Sequence, residues 1–238
     1  MRPHARFKGT SEIGVYGDFI HELDWSVGEV LAALYRLKLA DNTLVVLSSD
    51  NGGVKDYRRT TVYAEIRGHR INGPLRGQKT EVYEGGHREP FIVRWPGQVK
   101  AGSRNGQLLA LTDLLATFAE LVHRKLPADA GEDSFSFLSA LLGKSADQPV
   151  RQTLVADSML GLFAILEGPW KLIAGQGGGG YYPRDKAEPP AATEPPGQLY
   201  NLADDLGETK NLYAENPEIV ARLSALLEKI KSNGRSRP

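Results

Sequence analysis

The sequence contains no cysteine at all. Disulfides, thiolate metal sites and a cysteine nucleophile within these 238 residues are therefore excluded. It also lacks an excess of either charge: 29 Lys and Arg balance 29 Asp and Glu. A general nucleic-acid binder carries more positive charge than this, so no nucleic-acid partner is expected. No apolar run is long enough to span a bilayer, and the N-terminal Met1-Arg2-Pro3-His4-Ala5-Arg6 has no apolar signal core. What the chain does have is 41% hydrophobic residues, enough to bury a core in one large domain or one medium and one small domain. Its charge is unevenly distributed. Between Lys55 and Arg94 nine Lys and Arg face five Asp and Glu, a local cationic excess that suits a small anion, or else a solvated basic loop.

Apolar residues at three- and four-residue steps (Ile20, Leu23, Val27, Leu31, Leu34, Leu37) predict a helix over 18–39, with Asp18 as its N-cap. Thr43 to Ser49 reads as a strand buried on both faces, as in a parallel α/β sheet. It ends in the sharp turn Asp50-Asn51-Gly52-Gly53. Helix, strand and polar loop in that order predict a doubly wound α/β sheet, in which ligands lie at the carboxyl ends of strands. Residues 54–89 show no clean period. Pro90 to Trp95 is the next predicted strand and Gln107 to Leu111 another; a helix capped by Thr112 follows, then a weaker helical stretch over Phe137 to Leu142. From residue 148 the texture becomes that of a small antiparallel sheet, with short strands at Gln152–Ala156, Phe163–Leu166, Trp170–Ile173 and Gln198–Leu202. A Gly/Pro-rich loop, expected to be flexible, covers 175–197, and a terminal helix opens with Asn216 and Pro217. Two parts follow: 1–147, and a C-terminal α+β subdomain over 148–238.

Asp50 and Asn51 place a carboxylate and an amide oxygen side by side at a strand end, where both can ligate a hard cation such as calcium. Turn chemistry suffices to explain the same residues and, on the residues alone, is the better account. Lys79, within Gly73-Pro74-Leu75-Arg76-Gly77-Gln78-Lys79-Thr80, is a compact charge suited to a tetrahedral oxyanion, or a surface lysine on a loop. His69 and His87 can contact substrate, carry a proton or serve as hydrogen-bonded structural residues, the last reading suiting His87 best. Neither has companions at zinc-site spacing.

Taken together, Tyr16-Gly17-Asp18, Leu23-Asp24-Trp25-Ser26-Val27-Gly28, Ser48 to Gly53, Gly73 to Lys79, Tyr83 to Pro90 and Trp95-Pro96-Gly97 resemble the second half of the arylsulfatase-type, formylglycine-dependent sulfatases. Gly168 to Ile173, Leu199 to Leu202, Glu208 and Asn211-Leu212 resemble that family's C-terminal subdomain. The resemblance implies part of an alkaline-phosphatase-like fold with a calcium-centred site that cleaves sulfate monoesters of small molecules or carbohydrates. Asp50 and Asn51 match a pair of metal ligands, and Lys79 matches the lysine that holds the sulfate group; His69 is taken as a substrate contact. The family's nucleophile is a formylglycine made from Cys or Ser in Cys/Ser-x-Pro-x-Arg, and this sequence has no such motif. The expectation is therefore an incomplete, separately inactive portion that needs a missing N-terminal half or self-associates through an uncovered face. The alternative is a non-catalytic ion-binding remnant or partner-dependent subunit of the same ancestry. The family is usually periplasmic or secreted.

Overall fold

The computed structural model describes residues 2–55, 64–144, 148–180 and 194–237. The first long element, α1 (Val15–Arg36), starts three residues before the expected Asp18. Asp18 is not its N-cap. Its buried carboxylate accepts the backbone N–H groups of Gly9 and Ser11, each at 2.9 Å, and so ties the preceding loop to the first helical turn. The helix forms on the predicted period, yet its apolar face stays open: Leu23 is 52% and Val30 59% exposed. Its main packing is against two short 3₁₀ turns, Ala5–Phe7 and Ala40–Asn42, with Trp25 over Phe7.

β1 (Val45–Ser48) and β2 (Phe91–Arg94) pair antiparallel, Val45 opposite Arg94 and Ser48 opposite Phe91. The expectation of a strand buried on both faces of a parallel sheet needs correction at this point. Among the described residues β1 pairs with β2 alone and is half-buried throughout. An apolar β-branched run signals burial, but it carries no information about the direction of its neighbour. Arg94 donates to the Ala40 carbonyl at 2.9 Å and to the Tyr35 hydroxyl at 3.0 Å, fixing β2 to the end of α1. Between the strands lies a single-turn helix, α2 (Glu84–His87).

Gln107–Leu111 is not a strand. The Ala110 N–H is taken by the Asp113 carboxylate at 2.8 Å, which also accepts from Phe135 N–H at 2.9 Å. Asp113 thus organises the start of α3 (Asp113–Leu121), where Thr112 gives no side-chain cap. Arg151 meets the buried Asp113 at 3.5 Å. A one-turn helix α4 (Leu138–Leu141) follows.

The C-terminal sheet is a four-stranded antiparallel meander: β3 (Thr153–Asp157), β4 (Phe163–Glu167), β5 (Trp170–Ile173) and β6 (Gln198–Asn201). Most of the expected 175–197 loop, residues 181–193, lies outside the described residues. Side chains alternate between the faces of the sheet. On one face Ile165, Leu172 and Leu199 bury against Val220, Leu223 and Leu227 of α5 (Pro217–Asn233). Asn216 precedes α5 but its amide donates to the Leu212 carbonyl rather than capping, and Gly234 (φ 65°) ends the helix. On the other face Ala164, Ile173 and Tyr200 receive Val82 and Tyr83. Each large aliphatic so buried contributes about 1.5–3 kcal/mol. The meander is therefore held between its own helix and the segment that leads into α2.

Candidate functional site

The loop after β1 is held from several directions. Asn51 donates its amide to the Gly52 carbonyl at 2.9 Å. Gly52 N–H reaches the Gly86 carbonyl at 2.9 Å, and a Cβ on Gly52 would lie 1.8 Å from the Gly85 carbonyl oxygen. Gly85 and Gly86 are packed just as closely: added Cβ atoms would meet Arg76 O at 2.4 Å and Glu81 O at 2.1 Å. Backbone here touches backbone, which only glycine permits.

Asn72 is the clamp. Its oxygen accepts Gly53 N–H at 2.8 Å, while its amide donates to Gly53 O at 3.2 Å and Gly77 O at 2.9 Å. Lys79 N–H adds a bond to Gly53 O at 3.2 Å, and the buried Gln78 accepts Lys55 N–H at 2.8 Å. The stretch carrying Lys79 is thus stapled, backbone to backbone, three residues beyond Asp50. Thr80, just past the lysine, sits at φ 79°, a strained setting for a β-branched residue, and is held there by Met159 N–H on its carbonyl at 2.9 Å.

The expected site side chains are placed as follows. Asp50 is exposed and, among the described residues, takes no hydrogen bond or ion pair. Lys79 is likewise exposed and unpaired among them. His69 is half-buried, its ring 5.4 Å from that of Tyr16, and lines a pocket that also includes Asn72. His87 ends α2, with Lys171, Asp157 and Glu84 as charged neighbours. Glu89 is close enough to Asp50 to feel it: burial, then the charges of Asp50 and Glu84, push its carboxyl up to about 7. A carboxylate at Asp50 and an amide at Asn51 are residue types that can ligate a hard cation. Among the described residues no group of three or more His, Asp or Glu gathers that could hold a metal ion.

Beneath these loops lies a network that sequence reasoning left unassigned. Lys171 of β5 is 1% exposed, and its ammonium lies 2.9 Å from both Glu84 Oε1 and Glu208 Oε1. The Glu208 contact is an ion pair without good hydrogen-bond geometry, but its other oxygen accepts Glu84 N–H at 2.8 Å. Arg76 donates to Tyr200 Oη at 3.0 Å and Glu208 O at 2.8 Å while stacking 4.0 Å over Tyr83. Val82 N–H reaches Gly178 O at 2.8 Å. The meander therefore grips both ends of the Arg76–Glu84 stretch, Lys79 at its centre. The available signal was Lys171 itself, a charge inside the apolar strand Trp170-Lys171-Leu172-Ile173.

Known proteins place the chain in a family. The sulfatase family pattern matches residues 2–123, just over half of the chain. An N-acetylgalactosamine-6-O-sulfatase of Bacteroides thetaiotaomicron is 39% identical over 231 residues, 97% of this chain and 44% of that protein. Human N-acetylgalactosamine-6-sulfatase is 39% identical over 145 residues, 60% of this chain and 26% of its own length. A solved structure concerned with the metabolism of multiple glycosaminoglycans by Bacteroides thetaiotaomicron superimposes with a TM-score of 0.85 at 38% identity, covering 97% of this chain and 47% of that one. A sulfatase from a Pseudoalteromonas species, at 23% identity and a TM-score of 0.78, shares the fold. The chain thus spans less than half the length of these relatives; its fold is the alkaline-phosphatase-like α/β fold of its structural neighbours, and the family pattern over residues 2–123 shows that it belongs to the sulfatase family.

Proposed function

We propose that this chain supplies the later metal ligands and the sulfate-holding lysine of a sulfuric ester hydrolase acting on sulfated carbohydrates. The observation that supports the reading is the backbone hydrogen bond from Lys79 N–H to Gly53 O, which ties the backbone that carries Lys79 to the loop that carries Asp50 and Asn51. The relatives named above are sulfatases, two of them acting on N-acetylgalactosamine 6-sulfate by name.

In this reading Asp50 and Asn51 hold calcium, which supplies polarisation of the sulfuryl oxygens when bound. Lys79 places a fixed positive charge against the sulfate head, stabilising the charge that grows as the S–O bond breaks. His69 contacts the sugar from the adjoining pocket. The attacking formylglycine comes from outside these 238 residues, because no Cys/Ser-x-Pro-x-Arg motif lies within them. Turnover by the chain alone is accordingly negligible.

The test is binding rather than turnover. Isothermal titration should show inorganic sulfate binding that strengthens with calcium. Lys79→Ala should abolish the sulfate heat, and Asp50→Ala should abolish the calcium effect while leaving weak sulfate binding. Sulfate binding unchanged in Lys79→Ala refutes the assignment.

A further inference from the structure

Glu208, on the loop after β6, is fully buried, and its backbone sits at φ 53°, which a glutamate seldom adopts. Its own loop is stiff: the Asp205 carboxylate accepts the N–H groups of Thr209 at 2.7 Å and Lys210 at 2.8 Å. The Glu208 carbonyl accepts Arg76 at 2.8 Å, and its Oε2 accepts Glu84 N–H at 2.8 Å. Its Oε1 lies 2.9 Å from Lys171, which in turn holds Glu84 Oε1. Arg76 and Glu84 are the two ends of the turn that carries Lys79, and Gly85 N–H closes that turn on Arg76 O at 2.6 Å. A single residue from the other end of the chain thus holds both ends. Stability alone is a poor reason for such an arrangement, because a buried ion pair seldom outdoes apolar packing of the same volume. An off-preference backbone persists only where its surroundings over-determine it, and such residues gather at functional sites. What Glu208 fixes is the position of the two ends relative to each other.

We propose that Glu208 is a positioning residue for sulfate binding: by holding Arg76 through its carbonyl and Glu84 through its carboxylate, it keeps the turn that presents Lys79 in one arrangement. Glu208 does not itself touch the anion. In a turn not so held, the Lys79 ammonium is correctly placed only part of the time, and the apparent affinity falls by that fraction. The proposal rests on the reading of Lys79 as the sulfate-holding lysine, whereas the bracing of the turn is independent of it. The contact to Arg76 uses the backbone and survives substitution at position 208. The contact to Glu84 uses the side chain and can be tested alone.

Two substitutions separate reach from charge. Glu208→Asp keeps a carboxylate near Lys171 and suits the left-handed backbone better, but it is one methylene short of Glu84 N–H. Glu208→Gln gives up the ion pair, yet its amide oxygen can still accept that N–H. The 238-residue chain is titrated with inorganic sulfate at low salt, and hydrogen exchange over residues 76–86 is followed by mass spectrometry on the same samples. Glu208→Asp should bind sulfate about tenfold or more weakly and exchange correspondingly faster over 76–86, the worth of one charge-assisted hydrogen bond. Glu208→Gln should stay within about threefold of the parent in both readouts, however far its melting temperature moves. Leu223→Ala, which loosens the opposite face of the meander, should lower the melting temperature and leave sulfate affinity unchanged. Parent-like sulfate binding in Glu208→Asp, equal losses in the two Glu208 variants, or the same loss in Leu223→Ala overturns the proposal. If sulfate binding is indifferent to Lys79→Ala while exchange over 76–86 still separates the two Glu208 variants, the sulfate-site reading fails and the bracing of the turn stands.

Discussion

Replacing Lys171 by Met leaves two carboxylates facing each other in a site from which water is excluded. Glu84 retains Arg88 at 3.3 Å, but that arginine is 56% exposed and offsets only part of the loss; Glu208, fully buried, keeps no ion-pair partner among the described residues. Removing one partner of a buried ion pair costs about 3–5 kcal/mol. For a chain of this size that corresponds to a fall in melting temperature of roughly 10 °C. The deficit depends on pH, with a definite sign. Burial raises the Glu208 carboxyl above its ordinary 4.5, and the Lys171 charge works against that rise. Without the lysine it rises further. A carboxyl whose folded pKa exceeds its unfolded one favours folding below the unfolded value, and this contribution fades as pH climbs through the folded one. The Lys171→Met deficit should therefore be smallest near pH 5 and largest near pH 8. Thermal melts followed by Trp fluorescence at both pH values measure it, Trp170 being the neighbouring residue on β5. Adding Glu84→Gln and Glu208→Gln to Lys171→Met should restore more than half of the lost stability, because neutral groups carry a far smaller burial penalty. A melt within about 2 °C of the parent at pH 8, or an equal deficit at both pH values, would refute the reasoning.

Other consequences can be checked alongside. Gly52→Ala should displace the loop from Gly85 and weaken sulfate binding about tenfold or more, with a melting change of only a few degrees, as seen by titration and calorimetry on one sample. Asp113→Ala should cost about 3–5 kcal/mol in urea unfolding, since it strands Arg151 and two backbone N–H groups. Leu23→Glu with Val30→Glu on the open face of α1 should change stability by no more than about 0.5 kcal/mol each, yet shift sedimentation profiles toward monomer.

Much of this fold could be read from the chain in order. α1 and α5 announce themselves by a 3.6-residue period that no strand can mimic, and the meander by short β-rich runs between turns. The partner of β1 could not be read, because an apolar run specifies how dry its surroundings are and not which way the next strand runs. Asp50, Asn51 and Lys79 stood out as residue types suited to a cation and an anion. Asn72 did not, since an isolated Asn between Ile71 and Gly73 reads as a turn residue. What makes it a clamp is its reach to Gly53, 19 positions earlier. Lys171 and Glu208 fall in stretches that carry the family resemblance, but their pairing escaped for the same reason: their meaning lies in Glu84, 87 and 124 residues away.

That wiring bears on how the molecule can be divided. Although composition changes near residue 148, the meander is not a detachable module. Tyr200 and Glu208 hold Arg76, Lys171 holds Glu84, and Gly178 holds Val82. A cut at the compositional border would leave a cation without its anions on one side and an unsupported lysine turn on the other. Recombining this chain with relatives will succeed when both sides of that seam are exchanged together.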